Sequence, residues 1–124
     1  MVEYRTITTT IARVSWEKDF IRIKFLPSDK AFDLEEAKRQ YEAAKQLAKG
    51  QRYKVLIDIR DVHISPEKDA QELLSQLEEK VAEAILVNNL AARILSKFYV
   101  KMTSNNETKI FSKEKKAVDW LKNQ

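Results

Sequence analysis

Hydrophobic and polar positions along the chain change their period several times, and each change marks an element. Ile7, Thr9 and Ile11 alternate with Thr6, Thr8 and Thr10, and the alternation runs on through Val14 and Trp16. A two-residue period rich in β-branched side chains predicts a strand. Glu17-Lys18-Asp19 interrupts it, after which Ile21, Ile23 and Phe25 alternate with Arg22 and Lys24. The N-terminal part therefore reads as a hairpin, closed by the turn-forming Pro27, Ser28 and Asp29.

Beyond Asp33 the period lengthens. Leu34, Ala37, Tyr41, Ala44 and Ala48 recur at three- and four-residue steps and predict a helix, with Lys38, Arg39, Glu42 and Lys45 on its solvent side. Asp33 and Glu36 fit a capping pair, and Gly50 supplies the stop. Val55-Leu56-Ile57-Asp58-Ile59 is an apolar run, as expected of a strand covered on both faces. Ser65-Pro66 is expected to open a second helix, serine as cap and proline in the first turn. Its buried stripe would be Ala70, Leu73, Leu74, Leu77 and Val81.

Ala84-Ile85-Leu86-Val87 predicts another short strand, and Asn88-Asn89 can cap a third helix. Ala91, Ile94, Leu95, Phe98 and Met102 form the apolar face expected for that helix. Thr108–Phe111 reads as the last strand, and Ser112 as the cap of a final helix on which Ala117, Trp120 and Leu121 share a face. The predicted order is β-β-α-β-α-β-α-β-α. It implies one α/β domain over residues 1–124, a mixed sheet with helices packed on it, parallel where helices cross over. Tyr41, Phe98, Phe111 and Trp120 fall on apolar stripes and are expected in the core. Trp16, beside the hairpin turn, would mark a partner or dimer surface if it were exposed.

Composition removes most enzyme classes from this picture. A chain of 124 residues has the length of one domain. It contains no cysteine, which excludes disulfides, thiolate nucleophiles and cysteine-held metals, and its one histidine excludes two-histidine metal sites within a chain. One glycine is too few for a phosphate-cradling loop. No run of about 18 apolar residues is present for a membrane helix. The opening MVEYRTITTT carries charges and threonines where a signal peptide has an apolar core, so a cytoplasmic location is expected. The net charge of +4 is unevenly spread: residues 84–124 hold eight basic and three acidic side chains.

The stretches YKVLIDIRDVHISPEKDAQELL, AEAILVNNLAARILSKFYV and TKIFSKEKKAVDWL, together spanning Tyr53 to Leu121, resemble the SpoIIAA-like (STAS-like) bacterial proteins. In that group an apolar strand ends in Asp and leads to a helix. A second strand then enters an Ala/Arg-containing helix, and a Phe-Ser/Thr turn precedes a helix closing with Ala-x-x-Trp-Leu. Ile110-Phe111-Ser112 with Ala117, Trp120 and Leu121 is the most distinctive piece. The resemblance implies a STAS-type fold and a binding or regulatory role rather than catalysis. The anti-sigma-factor antagonists of the family carry a phosphorylatable serine in an Asp-Ser-x-Gly turn. This chain reads His63-Ile64-Ser65-Pro66-Glu67-Lys68-Asp69 there, so that switch is not carried over.

The sharpest cluster is Asp58, Asp61, His63 and Ser65 at the end of the Val55 strand. Asn88 and Asn89 would stand beside it if the next strand is parallel, because ligands favour the carboxyl ends of strands in open α/β sheets. Such a set could form a small polar pocket or a weak divalent-cation site. Local hydrogen bonding and capping in a strand-to-helix turn is the reading such residues more often carry. His63 has a suitable pKa for a general base, but no activated nucleophile accompanies it. Ser65 could take a phosphate at a helix start, although a cap is the simpler role. Arg93, Lys97 and Lys101, at four-residue steps, form a basic stripe reinforced by Lys113, Lys115, Lys116 and Lys122. An acidic partner or an anionic membrane surface could dock there, whereas a solvated face is the ordinary reading. Nucleic acid is not expected, since no binding motif accompanies the charge.

The leading expectation is a non-enzymatic regulatory or protein-interaction domain without cofactor, in the bacterial cytoplasm, with a protein partner and a homodimer as its simplest assembly. An alternative is a domain that binds a small apolar or lipid-like ligand between helices and sheet, which requires a cavity there. A third is an enzyme using the Asp58–His63 turn, which requires both side chains to face one pocket.

Overall fold

The computed structural model describes residues 6–102 and 107–124; the opening residues 1–5, part of the segment read against a signal peptide, lie outside them. Six strands form one sheet in sequence order: β1 (Thr6–Thr8), β2 (Ala12–Glu17), β3 (Phe20–Phe25), β4 (Tyr53–Asp58), β5 (Lys80–Leu86) and β6 (Glu107–Phe111). Four helices complete the fold: α1 (Leu34–Leu47), α2 (Lys68–Ser75), α3 (Leu90–Met102) and α4 (Glu114–Lys122). β1, β2 and β3 pair antiparallel, while β3, β4, β5 and β6 pair parallel. The mixed α/β architecture is the one expected, with one more strand.

That extra strand comes from splitting the first predicted one. The threonine-rich alternation is broken at residues 9–11, where Thr9 N–H donates to the Ala12 carbonyl (2.8 Å) and its hydroxyl accepts from Ala12 N–H (3.1 Å). Thr9 Oγ1 thus makes a local turn that competes with the ladder. The period of two survives the turn, which is why sequence alone merges β1 with β2. Trp16 is half-buried and packs against the core rather than standing free.

Each parallel step moves to the next strand in the same direction, so right-handed crossovers put α1, α2 and α3 on one face of the sheet. α1 packs on α2, and α2 on α3. α4 lies on the opposite face against β4, β5 and β6, where Ala117 and Leu121 meet Leu56, Ala82 and Ala84. The alternating neighbours Val55, Ile57 and Ile85 point to the three-helix side. Sheet residues are therefore covered on both faces, as the apolar runs foretold.

Helix boundaries follow the expected signals at some ends and depart from them at others. Asp33 caps α1, accepting from Glu36 N–H at 2.9 Å. At its other end Lys49 and Gly50 both take left-handed φ values, 55° and 77°, the conformation glycine adopts without cost. Ser65 does not cap α2. The chain stays extended through Pro66, pairing with Phe32, and Glu67 precedes the helix without a side-chain cap. Ser112 is likewise displaced, with Lys113 at the start of α4. Val81 belongs to β5 and not to the α2 stripe, because the strand begins at Lys80, earlier than its apolar run suggests.

α3 departs furthest. Ala92 and Ser96 are its buried positions, with Tyr99 partly buried, so the helix is rotated from the expected face. Ile94, Leu95 and Met102 are exposed, and Phe98, expected in the core, is 60% exposed. Phe111 and Trp120 are half-buried against the core as expected, their rings packing at 5.6 Å, whereas Tyr41 is half-buried with its hydroxyl donating to Glu79 at 2.8 Å.

Candidate functional site

The turn after β4 brings only part of the sequence-predicted cluster together. Asp58 is buried on the α4 side of the sheet. Its carboxylate accepts from Arg60 Nε at 3.0 Å, Nη2 at 2.9 Å and the Arg60 backbone N–H at 3.1 Å. Burial opposes charge on Asp58, but the hydrogen bonds and charge of Arg60, with Lys24 nearby, outweigh it and hold the carboxyl below its ordinary range. Arg60 also donates to Glu114 at 2.9 Å, and Glu114 faces Arg22, which pairs with Glu17. This chain of charges clamps the first turn of α4 to β3 and β4.

Asp61 and Asn88 form a reciprocal pair: Asn88 Nδ2 donates to Asp61 Oδ1 (2.7 Å) and Asp61 N–H to Asn88 Oδ1 (3.2 Å). The bond holds Asp61 at φ 63°, a left-handed conformation that aspartate tolerates better than most residues. Asn89 caps α3, accepting from Ala92 N–H at 2.8 Å. His63 and Ser65 are exposed. Asp58 and His63 thus lie on different faces of the sheet, and the shared pocket that the enzymatic alternative requires is not formed. Among the described residues no group of three or more acidic or histidine side chains is placed to share a metal ion.

The larger feature lies between the sheet and the α1–α3 layer. A cavity of about 580 Å³ opens there, bounded by Ile23, Val55, Ile57 and Ile85 of the sheet, Ala44 of α1, Leu74 of α2 and Ala92 of α3. Its volume falls in the range of roughly 300–1,000 Å³ usual for small-molecule sites. Its origin is in the elements. α2 has only eight residues and covers a short span of sheet. α3 presents alanine and serine inward instead of its large apolar side chains. Ala91, Leu95 and Phe98 of α3, with His63 and Ser65 from the turn, continue the lining outward.

One end of this apolar space is polar. Lys80 and Glu83 are both essentially buried and both line the cavity. Three residues apart on a regular strand, they would point to opposite faces. A bulge prevents this: Tyr53 pairs with Lys80 while Lys54 pairs with Ala82, so Val81 is an extra residue that turns Lys80 to the cavity side. Lys80 Nζ stands 3.1 Å from Glu83 Oε1 and donates to the Leu74 carbonyl and to Tyr99 Oη, each at 2.7 Å. Tyr99 Oη in turn lies 3.2 Å from Glu83 Oε2 and 3.1 Å from the Leu74 carbonyl. Burial lowers the Lys80 pKa against the pull of Glu83, and burial followed by the charge of Glu83 raises that of Tyr99. Both charged residues lie inside β5, and the bulge that brings them to one side is not legible in the sequence.

The comparisons with known proteins agree with this architecture. A family model described as a domain of unknown function, DUF7793, matches residues 15–124. The chain belongs to the DUF7793 family. Among solved structures, this DUF7793 chain is similar to an uncharacterised protein of the DUF3478 family with a SpoIIAA-like fold from Shewanella loihica PV-4. The TM-score is 0.63 at 17% identity, over 93% of this chain and 98% of that one. The SpoIIAA-like fold implied by the resemblance is therefore present. Among curated proteins none matches the DUF7793 chain. No helix among the described residues is long and apolar enough to cross a membrane.

Proposed function

We propose that this domain binds a small apolar molecule in the cavity between its sheet and the α1–α3 layer, without catalysing a reaction on it, in a bacterial cytoplasm. The carrying observation is the cavity itself, about 580 Å³ of mostly apolar-lined space in a domain of 124 residues. Apolar space with a few convergent polar groups is the usual form of a ligand site. An apolar occupant would make dispersion contacts with this lining.

The test is titration of the full chain with N-phenylnaphthylamine, a probe that brightens in apolar surroundings. Saturable binding of one probe per chain is expected. Ala91→Trp, at an exposed lining position on α3, is expected to weaken it at least tenfold while leaving the melting temperature unchanged. No saturable signal, or equal binding by the variant, would overturn the reading.

The regulatory reading has its own support in α3. Leu90 and Phe98 are 73% and 60% exposed, with Ile94, Leu95 and Met102 beside them. Lys97 and Lys101 are exposed and Arg93 half-exposed along the adjoining strip. An apolar strip edged with positive charge fits a protein partner that offers apolar side chains bordered by acidic ones. A two-fold dimer built on this face would set the basic strips close to one another, so a distinct partner fits better than a second copy.

A further inference from the structure

We propose that Ser96 is the polar anchor of the cavity, its hydroxyl donating to an uncharged oxygen acceptor, such as a carbonyl, on the bound apolar molecule. The inference rests on the cavity reading above and names its ligand class. Ala92 and Ser96, one turn apart, are the buried positions of α3, and both line the cavity. Ser96 is only 5% exposed. A serine within a helix commonly donates to the carbonyl four residues back. Here the hydroxyl has no hydrogen-bond partner among the described residues. Glu83 Oε1 is shut away without accessible surface, but Ser96 Oγ is not closed off in that way, so an occupant of the cavity can touch it.

The other buried polar side chains of the lining have partners within the protein. Gln40 donates to Glu36 at 3.0 Å, and Lys80 and Glu83 stand ion-paired at 3.1 Å. The two buried charges therefore match one another, and a ligand carboxylate or ammonium would enter without a counter-ion. A plain hydrocarbon would displace water from the Ser96 hydroxyl and give it no acceptor, which costs affinity. A carbonyl oxygen takes that proton and brings no charge or donor that needs a partner of its own. Ser96 thereby sets orientation as well as class, since it holds one oxygen against α3 while the apolar remainder packs on the aliphatic lining.

Methyl heptyl ketone and the alkene in which a methylene group replaces its carbonyl oxygen have nearly the same shape and differ in the one acceptor. Each competes with bound N-phenylnaphthylamine, which has no oxygen of its own, in the native chain and in Ser96→Ala. The variant is expected to bind the ketone about tenfold more weakly than the native chain does, the loss of one well-placed hydrogen bond. Its affinity for the alkene and the probe, and its melting temperature, should stay unchanged, which separates a ligand contact from a structural one. A second measurement needs no variant: the infrared carbonyl stretch of the ketone bound to the native chain should lie below its frequency in hexane. Equal losses for ketone and alkene, unchanged ketone affinity in the variant, or a stretch at the hexane value would overturn the Ser96 assignment alone. Failure of the probe and of both ligands to bind the native chain would overturn the cavity reading with it.

Discussion

Asp58 and Glu36 are both carboxylates buried to within 2% of full cover, and both serve to join elements. Glu36 follows the α1 cap and accepts from Thr10 N–H at 3.2 Å and Gln40 Nε2 at 3.0 Å, tying the helix start to the turn after β1. Its place in a capping pair was legible, but its burial was not, because the Thr9 hydroxyl and Thr10 N–H that also donate to it lie 27 and 26 residues away in the chain. Asp58 works through Arg60. Its carboxyl is held below the ordinary value of 3.8, so the unfolded chain takes up a proton before the folded one does. The stabilisation is complete above the unfolded value and is lost as pH falls through the folded one. Arg60→Met should lower unfolding free energy at neutral pH by about 2 kcal/mol, moderated by Arg60 being one-third exposed. It should also flatten the loss of stability below about pH 4. Urea unfolding of the native chain and the variant across this range checks both; parallel acid limbs would contradict the account.

At the scale of elements, what repeats locally was readable and what depends on distant partners was not. The β3, β4 and β6 strands, the α1 cap and the Ala117–Leu121 face of α4 followed from period and punctuation. Ser65 and Ser112 had the chemistry of caps, yet the chain continues extended past both, at Ser65 because Phe32 and Pro66 bridge there. On α3 the large apolar residues do form a stripe, but it faces outward rather than inward. Small Ala92 and Ser96 pack on the sheet instead, and the large residues remain outside. Phe98→Ser should therefore change stability by less than about 0.5 kcal/mol, the range of surface substitutions, whereas a core phenylalanine would cost several. Combined with Arg93→Glu, Lys97→Glu and Lys101→Glu, it should abolish capture of an acidic protein partner from bacterial cytosol. Capture that survives all four changes would remove α3 as the docking face, and binding to anionic vesicles instead would reassign it to a membrane surface.

For the whole molecule, the SpoIIAA-like architecture was legible because its order of strands and helices is written in the sequence pattern. The candidate site was legible only in part. The predicted turn supplies His63 and Ser65 to the cavity lining, Asp58 turns to the opposite face, and no local pattern marks Lys80, Glu83 and Tyr99. A cavity is a property of packed layers, set by a short α2 and a rotated α3, and no local motif encodes it. The two faces of the sheet supply an internal control for its function. An amide NMR titration of the full chain with n-decanol should shift Ile57, Ile85 and Tyr99 on the cavity side, saturably and together, while Ala117 and Leu121 on the α4 side stay fixed. Shifts confined to the outer surface of α3, or none at all, would contradict the claim that this domain is built around a ligand.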